Sequence, residues 1–355
     1  MRDDIRDEIA RIEETLDYED RIAIERSRQN IKVEQGETAY GLKDLSDVGY
    51  KLEIERETIE TGFYDYDSYI EDWKYSEITV IFGRNGEGKT TFVSQIIAHC
   101  LEKKVKTFLY SGEMSEQKIQ DWLYMQLLGD QPEHMRKVTT KYKTKLIPKA
   151  ETIRKIKKWH QSTLHIFDHD AKSVVADLSK FFLLMEYAIM KGVKLFIIDN
   201  LMTILEENAD SLYSDQANFV QRCKEFARDF DCHVVLLCHP NKEKKELKDD
   251  KDGNLEKGDI SGTSNIGNKA DNIIAVERVW DSDQCDAIVT SLKDRNEGQR
   301  KKIKYFFSVD TKRFYNSTTQ ETMTYGWQKI AEADYGTQLD IESPWEVQHE
   351  QVDSL

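Results

Sequence analysis

Apolar positions in this chain follow two periods. Short runs rich in branched residues, Ile78–Phe82, Lys106–Ser111, Leu164–Phe167, Lys194–Asp199 and His233–Cys238, read as buried strands. Between them lie stretches of helical periodicity: the segment after Lys89, residues 183–188 and Asp215–Asp229. Further short strands are expected at Ile273–Val276, Ala287–Leu292 and Lys302–Ser308. Strands alternating with helices predict an α/β fold with a mostly parallel sheet. Ahead of it, Ile5, Ile9, Ile12 and Leu16 form one narrow stripe in an otherwise charged segment. Such a helix must dock on its own domain or on a neighbouring subunit, and the pattern favours neither. Gln35–Thr38 reads as a linker, and Leu42, Leu45, Val48 and Leu52 return to helical spacing.

The strand Ile78–Phe82 runs into Gly83-Arg84-Asn85-Gly86-Glu87-Gly88-Lys89-Thr90, which satisfies G-x-x-x-x-G-K-[ST] in strand–loop–helix context. Gly83, Gly86 and Gly88 let successive N–H groups, with Asn85 and Thr91 in the same loop and helix start, close around phosphate oxygens. The helix dipole adds to this. Lys89 is expected to reach the β- and γ-phosphates, and the Thr90 hydroxyl to ligate Mg²⁺. This predicts a site for ATP or another nucleoside triphosphate with Mg²⁺. Asp199 ends an apolar strand 110 residues after Lys89, where a carboxylate directed at Mg²⁺ belongs. Glu113 also follows a strand, and there a catalytic acid and a helix cap are both open.

Composition narrows the classes. The 355 residues carry a formal charge of −15, with 33% charged and 39% hydrophobic residues, and no run is long enough to span a membrane. The acidic start excludes a secretory signal and disfavours a mitochondrial transit peptide, so a bacterial or phage-infected cytoplasm is expected. Five cysteines without C-x-x-C spacing read as reduced thiols and encode no zinc module. The charge argues against coating nucleic acid with the whole surface but leaves room for a local basic channel. Residues 136–158 hold ten Lys or Arg and one acid, Glu151. They fit a DNA-contacting strip, but Ile153, Ile156 and Trp159 lie at three-residue spacing, so the Arg154–Lys158 charges fit the wet face of a packed helix equally well. The Lys- and Gly-rich stretch 241–271, with Lys242, Lys244 and Lys245, is a long loop of functional or disordered type. The last 25 residues carry seven acids and no Lys or Arg, which suits a solvated tail or a docking peptide.

Taken in order, these parts resemble the RecA-type domain of DnaB-like hexameric replicative helicases, most closely the helicase half of phage primase–helicases and mitochondrial Twinkle. The likeness rests on T-G-F-x-x-x-D at Thr61–Asp67, the phosphate loop, S-G-E-M-S at Ser111–Ser115, I-I-D-N at Ile197–Asn200 and L-L-C-H-P at Leu236–Pro240. It extends through Asp259–Val276 and L-K-D-R-N-E-G at Leu292–Gly298. The resemblance implies a RecA-like P-loop NTPase core over 61–330, preceded by a helical arm and linker over 1–60 and followed by an acidic tail over 331–355. It implies Glu113 as the water-activating base, His239 as the γ-phosphate sensor, Arg295 as an arginine finger with Lys293 its companion, both serving the neighbouring subunit's ATP, and Phe307 as a cover for adenine. DNA contacts would come from Lys242, Lys244 and Lys245 and from Asn265, Gly267, Asn268 and Lys269. Gly267 stands where that branch often has a basic residue, which shifts the expected contacts to backbone N–H groups and Lys269.

The function so implied is an ATP-dependent, ring-forming helicase that moves 5′→3′ on single-stranded DNA and unwinds forked duplex. Its implied partners are further copies in a hexamer, a primase, and a polymerase reached through the acidic tail. The alternatives are a RecA/RadA-like strand-exchange ATPase and a non-catalytic ATP-binding DNA scaffold or loader.

Overall fold

A computed structural model describes residues 45–49, 57–139, 141–168, 178–200, 212–240, 255–260, 264–296, 298–316 and 323–330. The N-terminal stripe, the 35–38 linker, Lys242, Lys244, Lys245 and the acidic segment 331–355 lie outside these residues, as does the side chain of Asn265. Of the second amphipathic stretch, Leu45–Asp47 forms a 3₁₀ turn, and Leu45 and Val48 are exposed.

The core is one nine-stranded sheet, with a small ladder of β1 (Thr58–Ile59) and β2 (Trp73–Lys74) apart from it. The parallel part of the large sheet runs β10 (Asn272–Arg278), β3 (Ile78–Phe82), β9 (His233–Cys238), β8 (Leu195–Asp199), β4 (Thr107–Ser111) and β7 (Leu164–Ile166). Three antiparallel strands extend it beyond β10: β11 (Ala287–Lys293), β12 (Lys301–Ser308) and β13 (Arg313–Tyr315). β3, β4, β8 and β9 are buried at every residue, which is why they read as unbroken apolar runs. Alternate side chains serve two cores. Ile81, Leu109, Ile197 and Val235 face α1 (Tyr64–Ile70), α2 (Lys89–Glu102), α3 (Glu116–Leu128) and α4 (Ala150–Trp159). Val80, Tyr110, Ile198 and Leu236 face α5 (Leu178–Met190), α6 (Leu212–Asp229) and α7 (Ser264–Lys269).

The β3 chain leaves the sheet between β9 and β10, so the following loop opens at the carboxyl ends of the parallel strands, where such sheets bind ligands. The Thr61–Asp67 segment braces the helix that follows that loop. The Asp67 carboxylate accepts from Thr61 N, Thr61 Oγ1 and Gly62 N at 3.1, 2.6 and 3.0 Å, and Phe63 stacks on Phe92 of α2 at 4.4 Å. Gly62, at φ +80°, leaves no room for a side chain, since a Cβ would collide with the His99 ring.

The second half of the basic stretch is helix α4, as the spacing of Ile153, Ile156 and Trp159 predicts, and it rests on Thr152 and Ile156. The first half is a hairpin of β5 (Met135–Thr139) and β6 (Thr144–Pro148) that pairs with no other strand among the described residues. Among those residues, too, no helix is long and apolar enough to cross a membrane.

Candidate nucleotide site

Gly83 ends β3 against the neighbouring backbone, where a Cβ would collide with Val276 O. The loop then turns through Gly86 (φ +81°) and Gly88 (φ +93°), conformations that cost glycine little. Its near side is tied by Glu87, whose carboxylate accepts from Arg84 N at 2.9 Å. Asn85 is exposed at the tip. Gly88 is the N-cap of α2, packed on Phe314 of β13, and Thr91 is buried behind the loop with its carbonyl accepting from Gln126.

Lys89 is buried, and its Nζ donates to Gly83 O at 2.8 Å and Arg84 O at 3.1 Å. Burial lowers its pKa, opposed by the carboxylates of Asp199 and Glu113. Thr90 Oγ1 donates to Asp199 Oδ2 at 2.8 Å, which joins the first turn of α2 to the tip of β8. Burial pushes the Asp199 carboxyl up to about 6, against the pull of the Thr90 hydrogen bond. A hydroxyl and one carboxylate make a hard-oxygen donor pair that suits Mg²⁺, which takes few protein ligands and fills its shell with water and phosphate oxygens. No cluster of three or more metal-binding side chains competes for a metal among the described residues.

Beside this pair the tips of β4, β8 and β9 bring Glu113, Asn200 and His239 together. His239 Nδ1 lies 3.3 Å from Lys89 Nζ and its Nε2 lies 3.1 Å from Glu113 Oε1. An ammonium only donates, so Nδ1 is the acceptor and the ring proton sits on Nε2, aimed at Glu113. Asn200 Nδ2 donates to the same Glu113 oxygen and lies 2.9 Å from His239 Nε2. The cap of α3 is Ser115, whose side chain accepts from Lys118 N at 3.4 Å, so Glu113 is free of that duty. Asn200 is the residue that sequence reasoning passed over. Its only signal was its place directly after Asp199.

Lys293 and Arg295 are elsewhere. The Arg295 guanidinium pairs with Asp271 Oδ1, and Asp271 Oδ2 accepts from Ile78 N at 3.1 Å, at the start of β3. The phosphate loop is at the other end of that five-residue strand. At ~3.3 Å per residue the two ends are separated by about 16 Å. Asp271 also accepts from Lys224 at 2.6 Å, and these partners together hold its carboxyl below the usual range despite burial. Lys293 Nζ donates to Ala270 O, to Gly267 O at 3.2 Å and to Asn268 O at 3.3 Å, closing the carboxyl end of α7.

Of the expected DNA-contacting residues, Gly267 is packed on Lys257, the exposed Asn268 accepts from Lys257 Nζ at 3.1 Å, and the Lys269 carbonyl accepts from Lys224 at 2.9 Å. Phe307 is half-buried, 5.0 Å from the Phe314 ring that flanks Gly88, with the Arg278 guanidinium 5.2 Å from its centroid. It therefore borders the phosphate loop through Phe314.

A RecA-like sheet whose central strand feeds a complete phosphate loop, with a carboxylate at the tip of a nearby strand, defines a P-loop NTPase. The chain belongs to the DnaB-like helicase C-terminal domain family, which it matches over residues 58–316. It is similar to the replicative DNA helicase DnaB of Mycoplasma pneumoniae, with 22% identity over 247 residues. That match covers 66% of this chain and 49% of the relative, so the chain spans about half the length of that relative. Its fold is similar to that of a solved ATPase domain, with TM-score 0.59, 17% identity, and 73% of this chain and 91% of that one covered. It is also similar to a DnaB-like replicative helicase solved in a study of its interactions with primase, with TM-score 0.60, 18% identity, and 83% and 75% covered.

Proposed function

We propose that this chain is the motor of a ring-forming replicative DNA helicase, hydrolysing ATP or another nucleoside triphosphate at interfaces between subunits. One observation carries the reading. Arg295 lies at the opposite end of the sheet from its own Lys89, so a head-to-tail neighbour is what brings finger and phosphate loop together. Six copies would close the ring around one DNA strand, moving 5′→3′, with the opposite strand excluded at the fork. Asn265, Gly267, Asn268 and Lys269 of α7, with the lysines of the 241–254 stretch, would grip the DNA backbone, and Lys293 would hold α7 in register with Arg295. Primase and polymerase are the proposed partners, the latter through the acidic 331–355 segment, and the cytoplasm is the proposed compartment.

In this mechanism Lys89 exchanges two carbonyl acceptors for phosphate oxygens, which bind its charge more strongly. Thr90 and Asp199 would hold Mg²⁺, which would supply positive charge against the phosphates. Glu113 orients the attacking water and takes its proton. His239 contacts both Lys89 and Glu113, so a change at the γ-phosphate is felt by the β9 tip that leads into the DNA loops. Phe307 would cover the nucleotide base.

The primary test is steady-state hydrolysis with and without single-stranded DNA, beside unwinding of a forked duplex. DNA-stimulated hydrolysis with unwinding is expected. Stimulation without unwinding would instead favour a filament-forming strand-exchange ATPase. Loss of both would make the nucleotide a structural ligand.

The pH profile offers a second check. Protonated Asp199 cannot ligate a cation, so hydrolysis should be complete above pH ~7 and decline as pH falls through about 6. Metal binding favours the ionised form, so a tenfold rise in Mg²⁺ should move this limb to lower pH. A limb that ignores Mg²⁺ would remove Asp199 from the metal site.

A further inference from the structure

The β5–β6 hairpin serves none of the roles above. Met135 at its base is buried in the core that faces α2 and α3, while α7 belongs to the opposite core. Beyond that base the hairpin is only partly covered, with Val138 and Ile147 half-buried on one side. Arg136, Lys137, Lys145 and Leu146 are exposed although they alternate between its two sides, and Lys141, Tyr142 and Lys143 are exposed at the turn. Two strands without a third have little stability of their own. This one is anchored by its base and by Lys149 N donating to His134 O at 3.0 Å.

Lysine on a bare strand edge is a common guard against sheet-to-sheet aggregation. That purpose is met by either sign of charge, and in a chain of net −15 acids are the abundant choice. Here the sign is one-sided. Residues 136–158 carry ten basic groups and a single acid, and the exposed Arg154 and Lys158 of α4 continue the positive surface past the hairpin. At the turn sits Tyr142, 83% exposed, with Lys141 Nζ 5.4 Å from its ring centroid. An exposed aromatic ring set among cations is the arrangement that binds single-stranded nucleic acid without regard to sequence, the ring stacking on a base and the cations meeting phosphates.

We infer that the hairpin and the wet face of α4 form a second contact for single-stranded DNA, on the face of the sheet away from α7. The inference rests on the helicase reading in one respect: the strand it takes is the one the channel excludes. A hairpin outside the channel meets that strand as it leaves the fork, and its grip would oppose reannealing.

The test uses the full chain in its assembled form with Lys141→Glu, Lys143→Glu and Lys145→Glu combined, and separately Tyr142→Ala. Binding is read by anisotropy on a forked duplex with two single-stranded arms and on the same duplex lacking the excluded arm. The parent should favour the two-armed fork by about tenfold, and the triple variant should lose that preference. Its salt slope on the fork should be shallower by about 2, as expected for roughly three fewer phosphate contacts at ~0.7 each on a single strand. Tyr142→Ala should lose about fivefold on the two-armed fork alone, the scale of one lost base stack. Basal and DNA-stimulated hydrolysis should match the parent in both variants, because none of these residues touches the nucleotide or the channel.

An unchanged arm preference and salt slope in the triple variant would overturn the inference. So would cross-linking of Lys143 to the acidic 331–355 segment with fork affinity intact, since the occupant would then be that segment. If the parent hydrolyses without DNA stimulation but keeps an arm preference that the triple variant loses, the motor reading fails and the hairpin contact stands.

Discussion

Arg295→Ala should lower nucleotide turnover by about 10³–10⁵-fold, the range seen when an arginine finger is removed from phosphoryl transfer. The protein should keep its fold, because the guanidinium is largely exposed and its lost partner, Asp271, retains Lys224 and Ile78 N. Turnover alone does not say whose nucleotide Arg295 serves. A mixing experiment does. Arg295→Ala protein has an intact Lys89–Glu113 side, and Glu113→Gln protein has an intact finger. If the finger acts across the interface, co-assembled mixtures contain some composite sites with every group in place, and activity should return well above that of either variant alone. If Arg295 serves its own subunit, every site in the mixture is defective and no activity returns. Arg295 is moored at the Ile78 end of β3, and the length of that strand, about 16 Å, lies between this mooring and the phosphate loop, which argues for the first outcome. Asp271→Asn should act in the same direction with smaller effect, raising KM or lowering kcat as the finger loses its mooring.

The reason that Arg295 is remote from its own loop was not readable along the chain. It depends on β11 running antiparallel to β10, which carries the strand end to the floor of the sheet. By contrast the parallel strands and the phosphate loop were legible, because buried parallel strands must be apolar throughout and the loop geometry admits few residue types. The β5–β6 hairpin was hidden because its exposed faces carry charge where a half-buried strand would alternate, leaving Ile153, Ile156 and Trp159 to suggest helix alone. Asn200 was hidden differently. Its contacts with Glu113 and His239 exist only once three strand tips converge, and the latter two are 126 residues apart. The serine that caps α3 lies two residues after Glu113, so cap and acid occupied the same motif until the backbone separated them.

That separation makes Glu113→Gln the sharpest test of the chemistry. Glutamine keeps the shape and can still accept from Asn200 and His239 through its carbonyl oxygen, but it cannot take a proton from water. Removal of a general base is expected to slow turnover by about 10²–10⁴-fold. Since Ser115 caps the helix and Lys89, Thr90 and Asp199 are untouched, nucleotide affinity, assembly and nucleotide-dependent DNA binding should persist. Single-turnover hydrolysis and nucleotide-dependent DNA anisotropy on the same preparation separate the outcomes. Loss of both would mean that Glu113 holds the β4, β8 and β9 tips together through Asn200 and His239, with no part in the chemistry. Retained turnover would leave proton removal to another group, and the His239 Nε2 proton now aimed at Glu113 would orient a bystander. Slow turnover with intact DNA binding is the expected result, because only a base at this position separates binding from hydrolysis in that way.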